Sequence, residues 1–208
     1  MTDLNRRDAL KAFAAVSAAG MLDVTAPQVE RALRGVSELT EPQSTAKFFT
    51  PHEWRTLRML VDYIIPRDDR SGSATDAKVP EYIDFLLSDK DASEESQIAA
   101  RGGLAWIDNE AQHRFGKAFV SATDAQRRQI LDDIAYPAKA RPEMSHGVAF
   151  FNRLRDVTAS GFFSTSGGWR DVQYIGNVFN PNWDGCPPAA LNKLGVSYDV
   201  MNSRPSRQ

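Results

Sequence analysis

The stretch Thr50-Pro51-His52-Glu53-Trp54-Arg55-Thr56-Leu57-Arg58-Met59-Leu60-Val61-Asp62-Tyr63-Ile64-Ile65-Pro66 decides the class of fold. Thr50 and Glu53 spell a capping box with Pro51 at the first helical position: the Thr50 hydroxyl accepts from the Glu53 amide, and the Glu53 side chain reaches back. Trp54, Leu57, Leu60, Val61 and Ile64 then recur three and four apart, which lays one buried stripe along a helix that Pro66 ends.

Working outward, the same grammar repeats and strand-like alternation is scarce. Arg67 to Lys78 is polar and bears Gly and Ser, so it reads as a loop. A short helix resumes at Pro80 with Tyr82, Ile83, Leu86 and Leu87 turned inward, and a longer one runs from about Ser93 to Phe115. That longer helix carries Ile98, Leu104, Trp106 and Ile107 and is interrupted or weakened at Gly102-Gly103. Thr123-Asp124-Ala125-Gln126 is a second capping box, opening a helix whose face is Ile130, Leu131 and Ile134. A further helix begins near Ser145, follows Val148, Phe151, Leu154, Arg155 and Thr158, and stops at Gly161. Residues 161–188 are rich in aromatics, Gly and Pro and show little periodicity; a last short helix runs from Pro187-Pro188 to Gly195 in a C-cap position. The expected fold is mainly α: a single irregular helical domain over 48–198 with an aromatic, Gly/Pro-containing loop segment near the C-terminus. Residues 27–47 form a linker or first helix, and 199–208 a flexible tail.

Composition removes several classes. The 25 basic and 27 acidic residues leave a formal charge of -2 with no basic run, which speaks against an electrostatic nucleic-acid binder. The longest apolar approach, Ala12 to Leu22, is about half the roughly 20 residues a membrane-spanning helix needs. One cysteine excludes a disulfide scaffold, a C-x-x-C-H haem attachment and a four-thiolate cluster. No G-x-G-x-x-G or G-x-x-x-x-G-K-[ST] motif is present, so the chain shows no means of binding FAD, NAD or a nucleotide phosphate by itself, and no G-x-S-x-G elbow supports Ser-His-Asp catalysis. His52, His113 and His146 lie too far apart for a local metal motif and read as surface or helix-end residues. Asp68-Asp69, Glu94-Glu95 and Asp132-Asp133 read as solvated faces rather than acid/base pairs. No catalytic, cofactor-binding or metal residue is assigned.

Residues 1–26 are set apart from the fold. Arg6-Arg7, with Leu10 and Lys11, precede a short, weakly hydrophobic, Ala-rich stretch, the pattern of a twin-arginine export signal. Ala9 stands where such signals usually have Phe, and the best cleavage candidate is Ser17-Ala18-Ala19. The other reading is a basic amphipathic first helix. Loss of the segment removes Arg6, Arg7 and Lys11 together with Asp3, Asp8 and Asp23, so the charge balance is unchanged.

From about Phe48 to Tyr198 the chain resembles the gluconate 2-dehydrogenase subunit 3 family, the small subunits of membrane-associated flavin dehydrogenases. The resemblance rests on Asp62-Tyr63-Ile64-Ile65-Pro66, Gly103-Leu104-Ala105-Trp106-Ile107-Asp108, Phe150-Phe151-Asn152-Arg153-Leu154-Arg155 and Gly161-Phe162-Phe163-Ser164-Thr165. It continues through Tyr174-Ile175-Gly176-Asn177 to Trp183-Asp184-Gly185-Cys186-Pro187. Order and spacing carry it more than any one piece. It implies a non-catalytic accessory chain, exported to the periplasm by the twin-arginine route. The implied partner is an FAD-bearing oxidoreductase of the glucose-methanol-choline type that oxidises a sugar, sugar acid or polyol; this chain would stabilise and escort it. In such complexes a c-type cytochrome, a third subunit, often takes the electrons and supplies the membrane anchor. On this reading Phe162, Phe163, Trp169, Tyr174, Asn177, Phe179 and Trp183 face the partner; the alternative is that these rings close the chain's own core. Cys186, unpaired in an oxidising compartment, is either an interchain bridge, as small subunits of this family can form, or a buried free thiol. A stand-alone exported helical binding protein is the competing functional class.

Overall fold

The computed structural model describes residues 24–174, 176, 179, 181 and 185–198. The chain divides into two compact units, Met1–Tyr174 and Ile175–Gln208, so a boundary falls inside the span expected as one domain. Among the described residues all regular structure is helical. The export residues Arg6, Arg7, Leu10 and Lys11, and the interface candidates Asn177 and Trp183, lie outside the described residues.

The first unit is organised around its third helix. Helix α1 (Ala26–Glu38) starts at a capping box formed by Thr25 and Gln28 and buries Gln28, Val29 and Ala32, so the stretch expected as linker or first helix enters the core. Helix α2 (Pro51–Ile64) realises the predicted capping box, with the Glu53 amide donating to Thr50 Oγ1 and the Thr50 amide donating to Glu53 Oε2 at 2.8 Å. Its buried stripe is Trp54, Leu57, Leu60 and Val61.

Helix α3 (Val79–Ser88) is wrapped on almost every face: all of its residues except Phe85 and Ser88 are buried. Two of the buried residues are carboxylates. Asp84 accepts the backbone N–H groups of Lys47 (2.8 Å) and Phe48 (2.9 Å), and Glu81 accepts that of Gln43 (2.8 Å). The non-helical connection between α1 and α2 is therefore held by α3, with the Lys78 ammonium donating to the Leu39 carbonyl beside it. A buried carboxylate keeps its charge at tolerable cost only when such donors replace water.

Helix α4 (Glu94–Phe115) runs unbroken through Gly102-Gly103, correcting the expected interruption. The reason lies on α6 (Ser145–Phe163): the Phe150 ring occupies the space a side chain at Gly103 would need, and the Trp106 ring of α4 does the same at Gly147 of α6. Each helix contributes one glycine and one aromatic to a reciprocal contact, so close packing replaces the helix propensity that the glycines lack. Ile98, expected among the apolar members of α4, is 63% exposed. Helix α5 (Asp124–Ala135) follows a 3₁₀ turn at Phe119–Ser121 and buries Ile130, Leu131 and Ile134.

Helix α6 passes Gly161 and ends at Phe163, a second correction: Gly161 is a packing residue against Tyr82 of α3 rather than a terminator. A short helix α7 (Ser166–Asp171) then occupies part of the stretch expected to be irregular, with the Gly168 amide donating to the Thr165 side chain at 3.2 Å. In the second unit, α8 (Pro188–Leu194) ends at Gly195 with φ 64°, as the C-cap pattern predicts, and none of its residues is buried. Among the described residues no helix is long and apolar enough to cross a membrane.

Two outcomes test this packing by chemical denaturation. Gly103→Ala and Gly147→Ala should each destabilise the chain by about 1–3 kcal/mol through overpacking, whereas Gly102→Ala, with nothing within 4 Å of its added Cβ, should stabilise it by about 0.5–1 kcal/mol. Asp84→Ala removes the acceptor of two part-buried backbone donors and should cost about 1–3 kcal/mol.

Candidate functional site

The end of α6 turns core into surface within two residues. Phe162 is 1% exposed and belongs to the main core, which corrects its expected place at a partner surface. Phe163, one position on along the helix, is 39% exposed and meets Phe162 edge to face at 5.3 Å between centroids. A helix advances about 100° per residue, so adjacent rings cannot share a face.

Beyond it the backbone is fixed by short-range bonds. Thr165 caps α7 and donates its hydroxyl to Phe162 O at 2.7 Å. Gly168 sits against the backbone of Phe162 and Phe163, where a Cβ would collide. The Tyr174 amide donates to Trp169 O at 2.8 Å, and the two rings meet at 6.1 Å in an edge-on arrangement. Arg70, in the loop after α2, donates to Asp171 at 2.8 Å and ties that loop to α7. The outcome is an ordered ledge on which Val172 (56%) and Tyr174 (51%) stand in solvent while Trp169 is half-buried. The sequence reading missed Val172, and no motif marks it; the Arg70–Asp171 tie spans 101 residues and has no local signal.

In the second unit Phe179 is exposed at 87%, with Leu194, Val196 and Tyr198 also outward. Cys186 is an exposed free thiol, which overturns the buried-thiol reading within the chain; its amide donates to the Tyr198 hydroxyl at 2.6 Å.

The polar groups weighed for chemistry have structural work. His52 lies 2.5 Å from Asp108, whose other oxygen accepts the Phe119 amide at 2.9 Å, so the pair joins the start of α2 to α4 and the 3₁₀ turn. Asp68 accepts from the backbone of Ser71 and Arg70, and these bonds hold its carboxyl below the usual range. Asp133 pairs with Arg114 at 2.7 Å, and Glu94 and Glu95 occupy the first turn of α4, where the helix dipole favours them. Among the described residues no three His, Cys, Asp or Glu side chains are placed to hold a metal ion.

The described part of the first unit is thus a helical domain that exposes Phe163, Val172 and Tyr174 around the end of α6 and α7. The family model described as gluconate 2-dehydrogenase subunit 3 matches residues 51–182, more than half of the chain, and the chain belongs to that family. The match spans α2 through α7 and stops before the Trp183–Pro187 piece. No curated protein and no solved structure matches the chain.

Phe162→Ala should cost about 3–5 kcal/mol as a buried-ring deletion, while Val172→Ser and Phe179→Ser should change stability by no more than about 0.5 kcal/mol. Thermal and urea unfolding of the three variants checks the division between core and surface.

Proposed function

We propose that this chain is the non-catalytic small subunit of an exported, FAD-dependent dehydrogenase complex acting on a sugar, sugar acid or polyol. In this reading the flavoprotein partner, of the glucose-methanol-choline type, holds FAD and performs the oxidation, and a c-type cytochrome is the third subunit that takes the electrons. The chain stabilises the flavoprotein and carries it through the twin-arginine route, which transports folded proteins, on the strength of Arg6-Arg7 with Leu10 and Lys11. The complex then resides in the periplasm and reaches the membrane only through a partner.

The observation that carries this is the family match over residues 51–182. Supporting it, Phe163, Val172 and Tyr174 in the first unit and Phe179 in the second expose large apolar side chains, and aromatic anchors of this kind supply much of the energy of protein interfaces. Trp169, half-buried under Tyr174, stiffens the ledge that presents Phe163, Val172 and Tyr174 in the first unit. The free thiol of Cys186 is exposed, as a disulfide to the partner would require.

Expressing the flavoprotein with and without this chain tests the reading. Periplasmic, FAD-loaded enzyme should fall at least tenfold without the chain; equal yields defeat the proposal. On non-reducing gels of the same complex, a band at the summed mass that Cys186→Ser removes is the expected sign of the bridge.

A further inference from the structure

Beside the buried stripe of Trp54, Leu57, Leu60 and Val61, α2 carries the exposed Arg55 and the half-buried Arg58, Met59 and Asp62, at the three, four and seven spacing of a single helix face. With Tyr63, Val120 and Arg128 this face lines an open groove of about 730 Å³ between α2 and the start of α5. The lining holds three guanidinium groups and one carboxylate on a chain whose net charge is -2, so the positive character is local.

The acids at this place are already engaged inside the chain. Asp62 accepts the Thr75 amide at 2.8 Å. Asp124, at the groove's edge, takes the Tyr63 hydroxyl at 2.5 Å and Arg128 Nε at 2.8 Å, and these two bonds hold its carboxyl below the usual range. The cations are less committed. Arg55 is exposed and makes no ion pair among the described residues. Arg58 gives one nitrogen at 3.3 Å to the fully buried Glu81, whose ion pair among the described residues it is, and Arg128 gives one to Asp124, so each guanidinium keeps N–H donors for other acceptors. Both are also pre-oriented by rings: Arg128 lies 5.3 Å from the Tyr63 centroid and Arg58 5.7 Å from that of Trp54. Such stacking fixes the plane of the fork while its edge stays free, the condition under which arginine binds carboxylates in two-pronged fashion.

We infer that this groove docks an acidic, extended segment of the flavoprotein partner, with carboxylates paired to Arg55, Arg58 and Arg128. The identity of the occupant rests on the subunit reading above; the chemistry of the groove does not. Openness and the spread of the cations over two helices favour a chain segment over a small anion, which a site normally encloses. From Arg55 to Asp62 the α2 face is about 10 Å long at about 1.5 Å per residue, the length of roughly three extended residues. The chain's own N-terminal segment offers no acidic run to fill it, since Asp3, Asp8 and Asp23 are matched by Arg6, Arg7 and Lys11.

The test has two arms. A fluorescein-labelled (Glu-Asp)4 peptide is titrated into the full chain and into R55E/R128E, with a (Gln-Asn)4 control and unfolding curves to show that the variant is folded. Binding to the wild type, at least tenfold weaker for the variant and for the control peptide and weakened by salt, is expected. Equal binding by the variant overturns the site, as does full displacement of the peptide by low-millimolar inorganic phosphate, which would mark a small-anion site. In the second arm, the flavoprotein co-expressed with the wild-type chain and with R55E/R128E should dissociate at least tenfold more readily from the variant. Equal affinity overturns the docking inference and leaves the subunit reading standing. Failure of the wild type to assemble defeats the subunit reading and the named occupant together, while the peptide arm still decides the groove's chemistry.

Discussion

Two carboxylates inside the protein organise the first half of the fold. Glu81 and Asp84 sit three apart on α3, both fully buried, and accept backbone donors from residues 43, 47 and 48. Burying a charge is costly unless hydrogen bonds replace its hydration, and backbone N–H groups in an irregular segment are equally costly to bury unpaired. Asp84 meets both needs with both of its oxygens, while Glu81 meets them through Oε1 alone and its Oε2 has no hydrogen-bond partner among the described residues. The connection from α1 is thereby brought onto α3 just before Thr50, where the capping box starts α2.

The second constraint is the reciprocal seating of Phe150 on Gly103 and Trp106 on Gly147. Close packing at these two points fixes α6 against α4, and dispersion between well-fitted surfaces outweighs the weak helix propensity of the glycines. Position on α6 matters for function because its end carries the ledge: Phe162 is held in the core, so Phe163 must face outward, and Thr165, Gly168 and Asp171 determine how the chain continues. A surface of this kind, ordered beforehand, loses little conformational freedom when a partner covers it.

Much of the candidate surface was visible as composition before it was visible as geometry. A run of aromatics with little periodicity reads as a segment of special use, and Phe163, Tyr174 and Phe179 are indeed exposed. Phe162 could not be sorted from Phe163 by residue type; the turn of α6 separates them. The arginine groove was half legible: Arg55, Arg58 and Asp62 give α2 a charged side, but Arg128 joins them only through the approach of α5. An accessory chain with both an apolar ledge and a basic groove can combine area with charge-based orientation in gripping its partner.

By itself the sequence determined the helical class, the capping boxes at Thr50 and Thr123, the buried stripes that follow them and the family to which the chain belongs, because capping and 3.6-residue periodicity are local properties of a few turns. The tertiary structure alone decided that α4 continues through its glycines, that α6 continues past Gly161, and which ring of the Phe162-Phe163 pair faces solvent. Those outcomes depend on what a distant helix places against each residue, and a glycine's cost or a ring's exposure has no value until that neighbour is in position.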